Sequence, residues 1–170
     1  MSETLEPALP DHLDEQAERL MHRICDEELT VATAESCAGG MLAALLTDIE
    51  GAGRAFDRGF VAYTKEAKHD LLGIESDLLD RNDAVSEIVA RAMADGALSR
   101  SRADIAIGVT GFAGPGAPGQ EEGLVHFALA RRGRPTAHRE EHFGAVGRGV
   151  VRVKSLKVML EMLEQTLEGA

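Results

Sequence analysis

Short β-prone runs alternate with segments of helical period along nearly the whole chain, and this alternation constrains the fold more than any other feature. Ala103–Thr110 is the strongest strand signal, with Ile105, Ile107 and Val109 on alternate positions. Thr30–Ala34 and Phe60–Tyr63 read as further buried strands, and Leu124–Ala130 and Thr136–His142 flank the turn Arg131–Pro135 as a hairpin. Between the strands, Asp11 is placed to cap a helix that buries Leu13, Ala17, Leu20, Met21 and Ile24. A second helix is expected from Ser36 to about Asp48, and a short one capped by Thr64 and stopped by Gly73. Ser86 opens another, with Ile88, Val89, Ala92 and Met93 apolar, and a last helix runs from about Gly147 to Leu167. Strands that alternate with helices, then a hairpin before a closing helix, predict an α/β layer architecture with a mostly parallel sheet and an antiparallel edge strand. Residues 1–10 carry two prolines and read as a flexible lead, and 11–170 as one domain.

Composition removes several functional classes. A net charge of −11 argues against a general nucleic-acid or membrane-surface binder, whose footprint is a basic excess. Most of that charge sits in the first 30 residues, where nine acids face Arg19 and Arg23, so an anionic ligand remains compatible with the rest of the chain. No apolar run approaches the ~20 residues of a membrane span. The acidic start does not read as a signal peptide. Two cysteines form no disulfide framework, and a reducing cytoplasm is the expected setting. With no Trp and 4% aromatics, stacking platforms for bases or sugars are not expected.

In open α/β sheets ligands bind beyond the carboxyl ends of the strands. Three such ends carry reactive or glycine-rich residues: Thr33–Gly40 (TAESCAGG), Tyr63–Lys68 (YTKEAK) and Thr110–Pro115 (TGFAGP). Ser36 either caps the following helix or stands as a nucleophile at a strand-to-helix turn. Gly39 and Gly40 permit close backbone approach, and free amides there could hold an oxyanion or a phosphate. None of the six histidines stands in a recognisable base position, and His138 and His142, on one strand face, lack a third metal ligand. A lysine with a lowered pKa can serve as base instead. Lys68 shares the inward helix face with Thr64, Leu71 and Leu72 and is favoured over Lys65, which reads as a solvated surface residue. Tyr63, the only tyrosine, could relay a proton or hold Ser36 and Lys68 in register; otherwise it is an amphipathic residue at a core edge. Cys37 is a rival nucleophile or a small buried residue. Glu35 could position a substrate group or orient Lys68, or be a charge near a helix start. Arg148 and Arg152 open the last helix, where the dipole disfavours cations, and Arg148 points to an anion.

These segments, with Phe60–Gly73 (FVAYTKEAKHDLLG), Ala84–Ala97 (AVSEIVARAMADGA) and Gly147–Arg152 (GRGVVR), resemble the CinA C-terminal domain family, in its order and over nearly the whole chain beyond residue 11. The larger CinA proteins carry an additional N-terminal domain, so the chain looks like the stand-alone form, which the family associates with nicotinamide-nucleotide amidase of the PncC type. The resemblance implies a three-layer α/β/α fold with a mixed, mostly parallel sheet, like that of anticodon-binding domains. It implies hydrolysis of the carboxamide of nicotinamide mononucleotide by a Ser36/Tyr63/Lys68 group, with no metal and no organic cofactor. The helix N-terminus after Ser36 would hold the oxyanion. Glu35, Gly39, Gly40, Thr110, Gly111, Ala113, Gly114 and Arg148 are the expected substrate-binding residues, and the partner a small nucleotide, with neither nucleic acid nor membrane. A homo-oligomer is expected. The chain departs from the family pattern at Ala38 (usually Thr), at Asn82-Asp83 (usually His-Gly), in a shorter segment after Pro115, in a missing Lys-Pro before Gly123, and in lacking an acid before Arg148. A nucleotide-binding or regulatory domain without turnover, or an amidase for a different amide, is the alternative reading.

Overall fold

The computed structural model describes residues 9–169. Its elements run α1 (Asp11–Asp26), β1 (Val31–Glu35), α2 (Met41–Thr47), a 3₁₀ turn (Ala52–Arg54), β2 (Phe56–Val61), α3 (Lys65–Leu72), α4 (Ser76–Arg81), α5 (Glu87–Ser99), β3 (Ile105–Gly111), β4 (Leu124–Arg131), β5 (Ala137–His142) and α6 (Arg148–Glu168). The expected flexible lead lies outside the described residues up to position 8, while Leu9 is buried in the core. Asp11 is the first helical residue, with Pro10 in the capping position; the side chain of Asp11 lies outside the described set. The apolar stripe of α1 is buried as its period requires.

The five strands form one sheet in the order β2-β1-β3-β4-β5. β1 pairs in parallel with both β2 and β3, and β4 pairs antiparallel with β3 and β5. The sheet is therefore mixed, and the strand that opposes the others is β4, inside the sheet. The edge strand β5 runs with the majority, because the chain reverses between β3 and β4 and again between β4 and β5. Of the segment expected as a buried strand at Phe60–Tyr63, Phe60 and Val61 end β2, which begins at Phe56 and is half-exposed, and Ala62 and Tyr63 lie beyond it. β2 is the other edge, with a partner on one side only, so its apolar residues gain less cover.

Helices cover both faces of the sheet. One face carries large side chains, among them Ile105, Ile107, Val109, Val125, Phe127 and Leu129, packed with the buried residues of α1, α2 and α6. The other face is built of Ala32, Ala34, Ala106, Ala128 and Ala130, with Gly108 between them, and carries α3, α4 and α5. These small residues bring α5 close. A Cβ at Gly108 would stand 2.8 Å from the amide nitrogen of Ala94 and 2.9 Å from the carbonyl of Ala90. Ser86 caps α5 by accepting from the Val89 amide, and Val89 and Met93 are buried, but Ile88, expected on that apolar face, is 49% exposed in the first turn.

Candidate active site

The carboxyl end of β1 leads into a five-residue loop rather than into a helix. α2 starts at Met41, five residues later than the sequence suggests, because its cap does not come from Ser36. It comes from Glu35, at the end of β1. The fully buried Glu35 carboxylate accepts from the amides of Gly40 (3.0 Å), Leu42 (3.1 Å) and Ala43 (2.8 Å). Burial pushes its pKa up, and those amides work in the opposite direction. Glu35 thus holds the loop in place, with its carboxylate turned to these amides. The amides of the first turn of α2, expected to receive an oxyanion, are occupied by it.

The loop itself turns tightly, with the Gly39 amide donating to the Ser36 carbonyl at 3.1 Å and the Met41 amide to the Ala38 carbonyl at 3.3 Å. Gly39 and Gly40 have φ of 66° and 90°, a region that side chains rarely adopt. A methyl group on Gly39 would also overlap the guanidinium of Arg152. The amides of Cys37 and Ala38 make no hydrogen bond to another residue among the described residues, that of Cys37 lying against its own thiol. They follow Ser36 directly, where acyl-transfer enzymes commonly place oxyanion donors.

Ser36 meets Lys68 across this end of the sheet. Thr64 caps α3 by accepting from the Ala67 amide at 3.1 Å, and Gly73 ends it with φ 69°, as expected. One turn in from the cap, Lys68 points inward and is 1% exposed, among the largest fully buried side chains of the described residues. Its Nζ stands 3.1 Å from Ser36 Oγ, 3.1 Å from the Ala62 carbonyl and 3.2 Å from the Tyr63 carbonyl. Burial holds its pKa below the ordinary lysine range, opposed only by the neighbouring Cys37. The neutral amine suits this setting. As an ammonium Lys68 donates to Ser36 Oγ and to both carbonyls; as a neutral amine it would keep two N–H bonds on the carbonyls and turn its lone pair to the Ser36 hydroxyl. Lys65, by contrast, pairs with Asp80 at 3.1 Å on the surface.

Tyr63 contributes its carbonyl to Lys68, while its ring is 64% exposed. Among the described residues no hydrogen bond joins its hydroxyl to Ser36 or Lys68, and its backbone carbonyl makes the contact instead. Cys37, the rival nucleophile, is buried. Burial pushes its thiol up to about 12, and a thiol at neutral pH is a poor attacker.

The third loaded strand end supplies a wall. The Thr110 hydroxyl is buried and donates to the Ala84 carbonyl at 2.7 Å, tying β3 to the segment before α5. Gly111 lets the chain lie against β4, where a Cβ would be 2.7 Å from Val125 Cγ2, and Ala113 is part of the core. Of the residues expected to bind substrate, these three form the frame. Gly114 lies under Arg148, whose Nη2 would be 3.0 Å from a Cβ there. The first turns of α6 thus flank both loops, with Arg148 at Gly114 and Arg152 at Gly39. Arg152 also donates from Nε to the Cys37 carbonyl at 2.9 Å. Neither arginine pairs with a carboxylate among the described residues. The Arg152 contact and the two loop amides are absent from the sequence-based set. The one signal for Arg152 was a pair of like charges at i and i+4 on a helix start, which is unfavourable unless something anionic or carbonyl-rich faces it.

Comparison with known proteins agrees with this architecture. The CinA C-terminal domain matches residues 13–167. Nicotinamide-nucleotide amidohydrolase PncC of Escherichia coli K12 is 43% identical over 139 residues, covering 80% of this chain and 83% of that protein. A CinA-like protein of Mycolicibacterium vanbaalenii is 43% identical over 142 residues, covering 82% of this chain but 33% of its own length. The chain spans about a quarter to a third of the longer CinA-like relatives it matches. The crystal structure of competence/damage inducible protein CihA from Agrobacterium tumefaciens superposes with a TM-score of 0.89 at 42% identity, covering 94% of this chain and 98% of that one. With a family match over almost its full length, and relatives and structures of this likeness, the chain belongs to the CinA C-terminal domain family.

Proposed function

We propose that this chain is an amidohydrolase that converts nicotinamide mononucleotide to nicotinate mononucleotide and ammonia, with Ser36 as nucleophile and Lys68 as base. The observation that carries the reading is the buried Lys68 amine 3.1 Å from Ser36 Oγ, oriented by two carbonyls. The likeness to a nicotinamide-nucleotide amidohydrolase supports the substrate.

Lys68 takes the Ser36 proton as Oγ attacks the carboxamide carbon, and the carbonyl oxygen gains the charge. The Cys37 and Ala38 amides receive that charge. The C–N bond then breaks, and ammonia leaves with the proton returned by Lys68. Lys68 next deprotonates a water that attacks the acyl-serine, and the acid is released as Ser36 regains its proton. Arg148, beside Gly114, is the anion anchor for the phosphate end. A cytoplasmic setting and self-association belong to the same reading. The exposed apolar residues Val61 and Tyr63 at the end of edge strand β2 support self-association.

Ammonia release from nicotinamide mononucleotide tests the proposal, with Ser36→Ala alongside. Wild type is expected to turn over, and the variant to fall to background while keeping the fold. A folded wild type that binds the nucleotide without releasing ammonia would overturn catalysis in favour of a binding role. A variant with full activity would overturn the serine mechanism.

A further inference from the structure

We infer that Arg152 is a positioning residue for the oxyanion, acting through the Cys37–Ala38 peptide, and is not a ligand of the substrate. The inference rests on the serine amidase reading above.

Ser36 to Gly39 is a four-residue turn closed by the Gly39 amide on the Ser36 carbonyl. In such a turn the middle peptide makes no bond inside the turn, and its orientation distinguishes one turn type from another. Here the middle peptide joins the Cys37 carbonyl to the Ala38 amide. Arg152 donates to that carbonyl from Nε at 2.9 Å, reaching it from α6. A trans peptide is planar, with its C=O and N–H pointing in opposite directions. With the carbonyl anchored toward α6, the Ala38 N–H is aimed away from α6. Ser36 and its Lys68 partner lie on that other side, since Lys68 comes from α3 in the opposite helical layer.

The same contact adds strength to aim. A cation at the carbonyl oxygen polarises the whole peptide unit and makes its N–H a better donor. The left-handed φ of a flipped middle peptide is unfavourable at Ala38, which has no positive φ. Arg152 therefore refines the direction and polarity of a turn that is already of the right kind. Gly39 is part of the device, because any side chain there would overlap the guanidinium. The absence of a carboxylate partner among the described residues leaves the positive charge of Arg152 directed at the carbonyl. Arg148, one turn earlier, reaches Gly114 instead.

The role separates from phosphate binding by which kinetic constant moves. Arg152→Gln should lower kcat for nicotinamide mononucleotide ten-fold or more and leave KM within about two-fold, since full loss of one oxyanion donor typically costs ~10²–10³. Arg152→Lys, which keeps the charge without the guanidinium fork, should fall between wild type and Arg152→Gln. In the ¹⁵N–¹H spectrum the Ala38 amide proton should move upfield in Arg152→Gln, a direct readout of lost polarisation that needs no turnover. A rise in KM with kcat unchanged would make Arg152 a substrate ligand and overturn the inference. So would an unmoved Ala38 amide. If wild type releases no ammonia from this nucleotide, the amidase reading fails by itself. The Ala38 signal and Ser36-dependent hydrolysis of p-nitrophenyl acetate, which has no phosphate, then decide the inference. An Ala38 amide moved upfield together with lost ester hydrolysis in Arg152→Gln upholds it, and an unmoved amide or retained hydrolysis overturns it.

Discussion

Lys68 shows how one residue can be set up by its surroundings alone. Its amine is buried, touches no carboxylate among the described residues, and is fixed by two carbonyls and a hydroxyl. Desolvation is the main cause of its lowered pKa, so the neutral amine gains population below the free lysine value of ~10.4. A base must be neutral to act. kcat/KM is therefore expected to rise with pH along a limb that levels off before free lysine would titrate, and a pH–rate profile checks this. Stability moves in the same direction, because the unfolded chain holds the Lys68 proton to higher pH than the folded one. Between the lowered value and ~10.4 this residue's destabilising contribution fades as pH rises. The Ser36–Lys68 pairing was legible in the sequence because Lys68 falls on the inward face of a short capped helix. The contribution of Tyr63 was not, because a backbone carbonyl has no signature in residue identity.

At the scale of elements, the informative case is α2. A helix start is read from a capping residue immediately before it, and here that residue would have been Ser36. The structure caps α2 from Glu35, across a loop of five residues, which no local pattern announces. This frees Ser36 for Lys68 and leaves the Cys37 and Ala38 amides outside the cap, in residues that are themselves buried. Glu35→Ala would leave three amides without their acceptor and is expected to destabilise the protein by about 2–4 kcal/mol, from the cost of unsatisfied buried donors. Chemical denaturation measures this, and a change under 0.5 kcal/mol (a rough threshold for an ordinary surface substitution) would show that water replaces the carboxylate without loss. α4 had no strong signal either, being a single short helix between Gly73 and Asn82.

Across the whole molecule, the alternation of strands and helices was enough to place the layers, and the hairpin before α6 enough to require one reversed strand. Its position inside the sheet was not legible, because a sequence does not state on which side of β3 the hairpin docks. Both core clusters are built on the two faces of the same sheet, so the described domain should unfold in one transition, with calorimetric and van't Hoff enthalpies in agreement. Gly108→Val tests the closeness of the alanine face. A larger side chain would push against the backbone of α5 and is expected to cost about 1–3 kcal/mol, lowering Tm by roughly 2–4 °C per kcal/mol in a chain of this size.

The five residues 36–40 are touched from both sides, by Lys68 out of one helical layer and by Arg152 out of the other. Those layers are otherwise separated by the sheet. The loop therefore behaves as a strain gauge set across the sandwich. A shear of one layer against the other bears on this small turn through two contacts, at Ser36 from the side of α3 and at Cys37 from the side of α6.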